Sequence, residues 1–195
     1  MTRKDTRTAL LDAAQRIFAN KGYAAVGIKE VLTEVGVPKG SFYHYFGSKD
    51  SFGEAVLDKY FAEYLAEVDR MLAEPGADWA TRLLRYWDSW HDTQGLDDCQ
   101  GRCLAVKLGA EVADLSEPMR RSLQAGTTAV IDRLEIAITG GREDGSLAPQ
   151  GESRVLAEAL YELWLGASVL AKVRRELGPL DGARAVTRTL LGLRP

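Results

Sequence analysis

Hydrophobic positions along the chain recur every three to four residues, and no segment alternates with period two. Leu10, Ala13, Ala14, Ile17 and Phe18 form one stripe, which predicts a helix over about 3–20 that Asn20-Lys21-Gly22 ends. Ile28, Val31, Leu32 and Val35 stand at i, i+3, i+4 and i+7, so a short second helix turns an apolar face inward. Gly36 can take the left-handed backbone that closes this helix. Pro38 fits the first turn of a third, about 38–46, where its missing N–H costs nothing. The pattern is a helix, a tight turn and a helix.

From Ser48, a natural N-cap, a fourth helix carries Ser51, Phe52, Ala55, Val56, Tyr60 and Phe61 toward Leu72. It is long enough to act as a rod from the amino-terminal head into the rest of the chain. Pro75-Gly76 interrupts it. Asp78 then caps a helix holding Trp79, Leu83, Leu84, Trp87 and Trp90, expected to end near Gly95, before an irregular polar stretch at 94–102 and an apolar run at 103–112. Ser116 is expected to cap a helix over 117–139, with Pro118 in its first turn. The clearest loop of the carboxy-terminal part is 140–145, GGREDG. Helices over 151–176 and 180–193 follow, separated at Gly178-Pro179. The fold class is therefore all-α, with an N-terminal three-helix helix-turn-helix domain at 1–50 and a helical bundle at 51–195.

The third helix divides its residues by face. Phe42, Tyr45 and Phe46 can pack inward, while Lys39, Gly40, Tyr43 and His44 fall on the other side with Ser41 at the edge. In place of the Glu and Gln of a merely solvated face stand a cation, a glycine that permits close backbone approach, and two rings that stack and hydrogen-bond. Lys49 follows, placed to reach a phosphate. Donors on one face and an apolar anchor on the other are what a recognition helix needs in a major groove. The alternative is an ordinary helical hairpin.

Charge sharpens this division. The chain of 195 residues carries a net −3, which argues against a general nucleic-acid binder. Residues 1–50 hold eight Lys and Arg against five Asp and Glu, a net of +3, and the remainder holds 17 against 23, a net of −6. A basic head on an acidic body implies that only the head meets phosphate. No apolar run approaches the ~18 residues of a membrane span, and the amphipathic N-terminus does not read as a signal peptide, so the cytoplasm is the expected location.

Two cysteines, Cys99 and Cys103, make no disulfide framework, and neither has His or Cys at metal spacing, so no metal and no cofactor are expected. A catalytic pair of Cys103 with His91 lacks an evident third orienting group, and the chain reads as a non-enzyme. Cys103 stands where QGRC turns into the apolar helix CLAVKLGAEV. A thiol in a helix's first turn, beside Arg102, meets partial positive charge that favours thiolate, the form that reacts with electrophiles and hypohalous oxidants. A buried, inert sulfur is the alternative. The aromatic set Trp79, Tyr86, Trp87, Trp90, Tyr161 and Trp164 can line a pocket for an apolar ligand or can simply be core.

The wording GVPKGSFYHYFGSKDSF closely resembles the recognition helix and following helix start of the TetR family of bacterial repressors. The resemblance implies a homodimer binding a palindromic double-stranded DNA operator and released by a small-molecule or electrophile inducer. It marks Lys29, Lys39, Ser41, Tyr43, His44 and Tyr45 for base or phosphate contact and Lys49 for phosphate. It also makes the helices at 117–139 and 151–176 a four-helix dimer interface, with small residues Ala159, Gly166, Ala167 and Ser168 allowing close approach. One departure stands out: Gly27 occupies the N-cap where such sequences usually carry Thr or Ser, so a hydroxyl able to touch phosphate is missing. The QGRC junction and GSFYHYF together resemble the NemR-like branch, which answers reactive electrophiles through a cysteine at this position. Tyr161, Leu165, Ser168 and Lys172 share a stripe. If it faces Cys103, Lys172 is the cation to favour its thiolate or trap its oxidised form, with Cys99 a bystander or resolving thiol.

Overall fold

The structure, a computed structural model, describes residues 3–99 and 103–193, with side chains described within 6–95 and 103–193. The described residues form nine α-helices and no strand: α1 (Arg3–Lys21), α2 (Ile28–Val35), α3 (Lys39–Tyr45), α4 (Lys49–Leu72), α5 (Trp79–Cys99), α6 (Leu104–Leu115), α7 (Glu117–Glu143), α8 (Ser153–Arg174) and α9 (Gly178–Leu190). None is long and apolar enough to cross a membrane. The chain packs as two compact units, one of residues 1–63 and 102–127, the other of 64–101 and 128–195.

In the first unit the stripe of α1 buries Leu10, Ala13, Ala14 and Phe18, while Ile17 is only half-buried. Phe18, Phe42, Phe46 and Phe52 interlock, with Phe42 and Phe46 meeting Phe52 at ring separations of 5.1 and 4.7 Å. Each such ring contributes on the order of 1.5–3 kcal/mol by leaving water. α6 joins this unit through buried Leu104, Leu108 and Val112. Gly53 and Gly126 allow Met119 and Phe61 to pack directly on bare backbone.

The second unit is built on stacked rings. Trp87 lies parallel to Trp164 at 4.9 Å, and Trp90 meets Tyr161 edge-on at 5.6 Å. The Trp90 indole N–H donates to Ser168 Oγ and that of Trp164 to Thr187 Oγ1. Ala167 and Ser168 are consequently buried in this core, whereas Ala159 and Gly166 are exposed.

Several local expectations are corrected. Of the expected 140–145 loop, residues 140–143 are instead the last turn of α7, which runs to Glu143, and the turn comes only at Asp144 and Gly145, φ 76°. Gly140 and Gly141 serve close packing: a Cβ at Gly140 would lie 2.4 Å from the Trp79 ring, and one at Gly141 2.4 Å from Leu147. Gly140→Ala is therefore expected to destabilise by about 1–3 kcal/mol despite its better helix propensity. A lower thermal midpoint by circular dichroism would register this. An unchanged midpoint would show that the indole gives way freely.

α5 likewise continues through the polar stretch to Cys99, because Gln94 turns inward and Gly95 faces Leu177. Residues 100–102, including Arg102, and the Cys99 side chain lie outside what is described. Pro38 is the N-cap of α3, outside its first turn. Ser116 does not cap α7 with its hydroxyl, which is buried without a partner among the described residues. Only its carbonyl joins the helix, accepting from Arg120 N–H at 2.9 Å. α8 ends at Arg175 in the left-handed region, φ 54°, and Gly178-Pro179 opens α9.

Candidate nucleic-acid interface

Gly36 ends α2 with φ 72°, and Val37 N–H reaches back to Leu32 C=O at 3.1 Å, the paired closure of a glycine-capped helix. This turn sets α3 across α2. Gly27 caps α2 in extended backbone with no side-chain bond, so the missing hydroxyl is absent in structure as in sequence.

On α3, Phe42 and Phe46 are buried and Ser41 and Tyr45 are half-buried. Lys39, Gly40, Tyr43 and His44 are exposed, Tyr43 by 54%. The Lys39 ammonium lies 5.8 Å from the Tyr43 ring centre, one turn along the helix. His44 and Tyr45 meet edge-to-face at 5.0 Å. No Cβ contact lies within 4 Å of Gly40, so its surface is open to an approaching backbone.

Lys29 of α2, Lys39 and Tyr43 of α3, and Lys49 of α4 line one groove of about 450 Å³ floored by Ile28 and Leu32. Three cations from three helices thus converge beside the recognition face. Lys49 is also engaged from within: its ammonium donates to Tyr23 C=O at 2.9 Å and covers the Tyr23 ring at 4.2 Å. Burial pulls its pKa below the usual lysine value, against the opposing fields of Glu111 and Asp50. Ser48 caps α4, accepting from Ser51 N–H at 3.0 Å. Arg7 of α1, which sequence reasoning passed over, places its guanidinium 5.4 Å from the Phe46 ring at the end of α3. One basic residue among several in a charged amino-terminal segment carries no local sign of that placement.

Cys103 is the N-cap residue of α6, one position ahead of the first turn, and is a partly exposed free thiol. The Tyr60 hydroxyl donates to its Sγ at 3.5 Å. Lys172, half-buried on α8, belongs to the second unit. The His91 ring nitrogens in that unit face Asp181 at 3.0 Å and Asp92 at 3.4 Å. Of the six aromatic candidates, Tyr86, Trp87, Trp90, Tyr161 and Trp164 form one continuous ring cluster. Trp79 packs separately against Gly140 and beneath Arg82.

A glycine-closed helix-turn-helix with a buried aromatic anchor and a cationic, ring-bearing outer face defines a DNA-binding regulator. Residues 10–56 match the bacterial regulatory proteins of the tetR family, and residues 80–187 match the tetracyclin repressor-like C-terminal domain. The HTH-type transcriptional repressor NemR of Escherichia coli (strain K12) is 38% identical over 190 residues, covering 97% of this chain and 96% of its own. The crystal structure of reduced E. coli NemR superposes with a TM-score of 0.91, covering 96% of this chain and 97% of that one. The HTH-type transcriptional repressor DhaR of Mycobacterium sp. (strain GP1) is 29% identical, covering 93% of this chain and 89% of its own. The chain belongs to the TetR family and is a transcriptional repressor similar to NemR.

Proposed function

We propose that this repressor binds a palindromic operator as a homodimer in the cytoplasm, and that modification of Cys103 or a bound inducer releases it. Residues 1–50 are the DNA-binding domain and 51–195 the regulatory and dimerisation domain. Each head inserts α3 into a major groove, with Gly40, Ser41, Tyr43, His44 and Tyr45 toward base edges and sugars and Lys29, Lys39 and Lys49 toward phosphates. The observation that carries this reading is the groove of Lys29, Lys39 and Lys49 beside the exposed Tyr43, held on a buried Phe42 anchor. Exposed Ile136 of α7 and Val155, Val169, Leu170 and Val173 of α8 support dimerisation through that helix pair, since apolar faces of this kind mark contact surfaces.

Release requires that DNA and inducer favour different states of the body. Addition of the Cys103 sulfur across an activated double bond, the thiol proton ending on the neighbouring carbon, places new bulk at the N-cap of α6 beside Tyr60. The test uses duplex selected from genomic fragments. Cys103→Ser should bind it as wild type does but fail to let go on addition of N-ethylmaleimide. Release equal to wild type sinks the cysteine reading.

One observation favours a non-covalent inducer as the second reading. The Trp87 indole N–H is buried within the ring cluster and has no acceptor among the described residues. An apolar ligand bearing a single acceptor would satisfy it.

A further inference from the structure

We propose that Glu111, far from the DNA-facing surface in sequence and on a different helix, is a positioning residue for operator binding. Its carboxylate sits in the turn between α1 and α2. One oxygen accepts the Tyr23 N–H at 3.1 Å and the other the Ala24 N–H at 2.6 Å. Two successive amides directed at one carboxylate form an anion-binding nest, and bonds to an ionised acceptor are about twice as strong as neutral ones. Gly22 makes room for it: φ is +83°, and a Cβ there would stand 2.8 Å from the Glu111 oxygen.

Tyr23 is held from the other side as well. Its carbonyl accepts from Lys49, its ring lies under the same ammonium, and its hydroxyl donates to Asp50, both at the start of α4. One residue of the turn is thus tied to α6 by its N–H and to α4 by its C=O, ring and hydroxyl. α2 begins at Ile28, a few residues on, so this tie sets where the helix-turn-helix stands on α6.

Cys103 and Glu111 belong to the same helical rod, about 12 Å apart at 1.5 Å per residue. The rod carries a displacement at Cys103 to the turn. That consequence rests on the Cys103 reading, whereas the positioning role does not.

The test compares full-length wild type, Glu111→Gln and Glu111→Ala on the selected duplex, well below the thermal midpoint. Glu111→Ala should keep its helix content, lose hydrogen-exchange protection at the Tyr23 and Ala24 amides, and bind operator at least about fivefold more weakly. Glu111→Gln keeps a carbonyl acceptor but no charge and should fall between. Exposed amides with operator affinity unchanged would reduce Glu111 to a structural contact and overturn the proposal, as would amides that stay protected in Glu111→Ala. Alkylation of Cys103, verified by mass spectrometry, is then run on each protein. Wild-type affinity insensitive to alkylation refutes the cysteine reading alone, because the Glu111 comparison is made on unmodified protein.

Discussion

Trp164→Ala is expected to destabilise the protein by about 3–5 kcal/mol, the range for truncating a large buried ring. The side chain has 0% exposure, stacks on Trp87 at 4.9 Å with an interplanar angle of 16°, and approaches Trp90 at 6.2 Å. Its indole N–H donates to Thr187 Oγ1 at 2.8 Å in a buried bond that pins α8 to α9. Alanine removes the stacking, the bond and most of the volume at once, and the neighbouring rings are too stiff to refill the space. Trp164→Phe should recover part of the loss, since it returns a stacking partner but no donor. Urea unfolding followed by circular dichroism measures both, and a cost below about 1 kcal/mol for the alanine variant would contradict a close-packed cluster. That outcome would also favour the pocket reading of these aromatics, since a core that tolerates such a hole has space for a ligand.

Tyr43→Ala should leave folding unchanged and weaken operator binding by about 1–3 kcal/mol, roughly 5- to 150-fold. The reason for expecting no folding effect is the 54% exposure of Tyr43, with Phe42 beside it carrying the packing. Lys39→Ala should behave differently. Losing one phosphate contact lowers the slope of log affinity against log salt by about 0.9 while weakening all sequences alike. Titrations at several salt concentrations against operator and unrelated duplex separate the two variants. If Tyr43→Ala weakened both duplexes equally, it would be reassigned from base reading to backbone contact.

The helix-turn-helix was legible because its signals are local. The i, i+3, i+4, i+7 spacing of Ile28 to Val35, the glycine at 36 and the Ser48 cap all act within one or two turns. The same short-range logic misread Gly140-Gly141 as a loop, since nothing nearby shows that Trp79 and Leu147 pack against those two positions. It misread 94–99 for a similar reason: polar residues there hide the inward turn of Gln94. Among the candidate site residues, the exposed face of α3 followed from periodicity. The engagement of Lys49 with Tyr23 did not, because it joins residues 26 positions apart.

The sequence by itself determined an all-helical chain, the Gly36 turn, the two-faced recognition helix and the basic head, since propensity, capping and charge are properties of neighbouring residues. Only tertiary structure decided that Lys29, Lys39 and Lys49 share a groove, that Trp87 and Trp164 stack, and that Glu111 meets a turn 88 residues before it. Such contacts depend on how distant helices close on one another, and that closure follows from total packing, which no local pattern encodes.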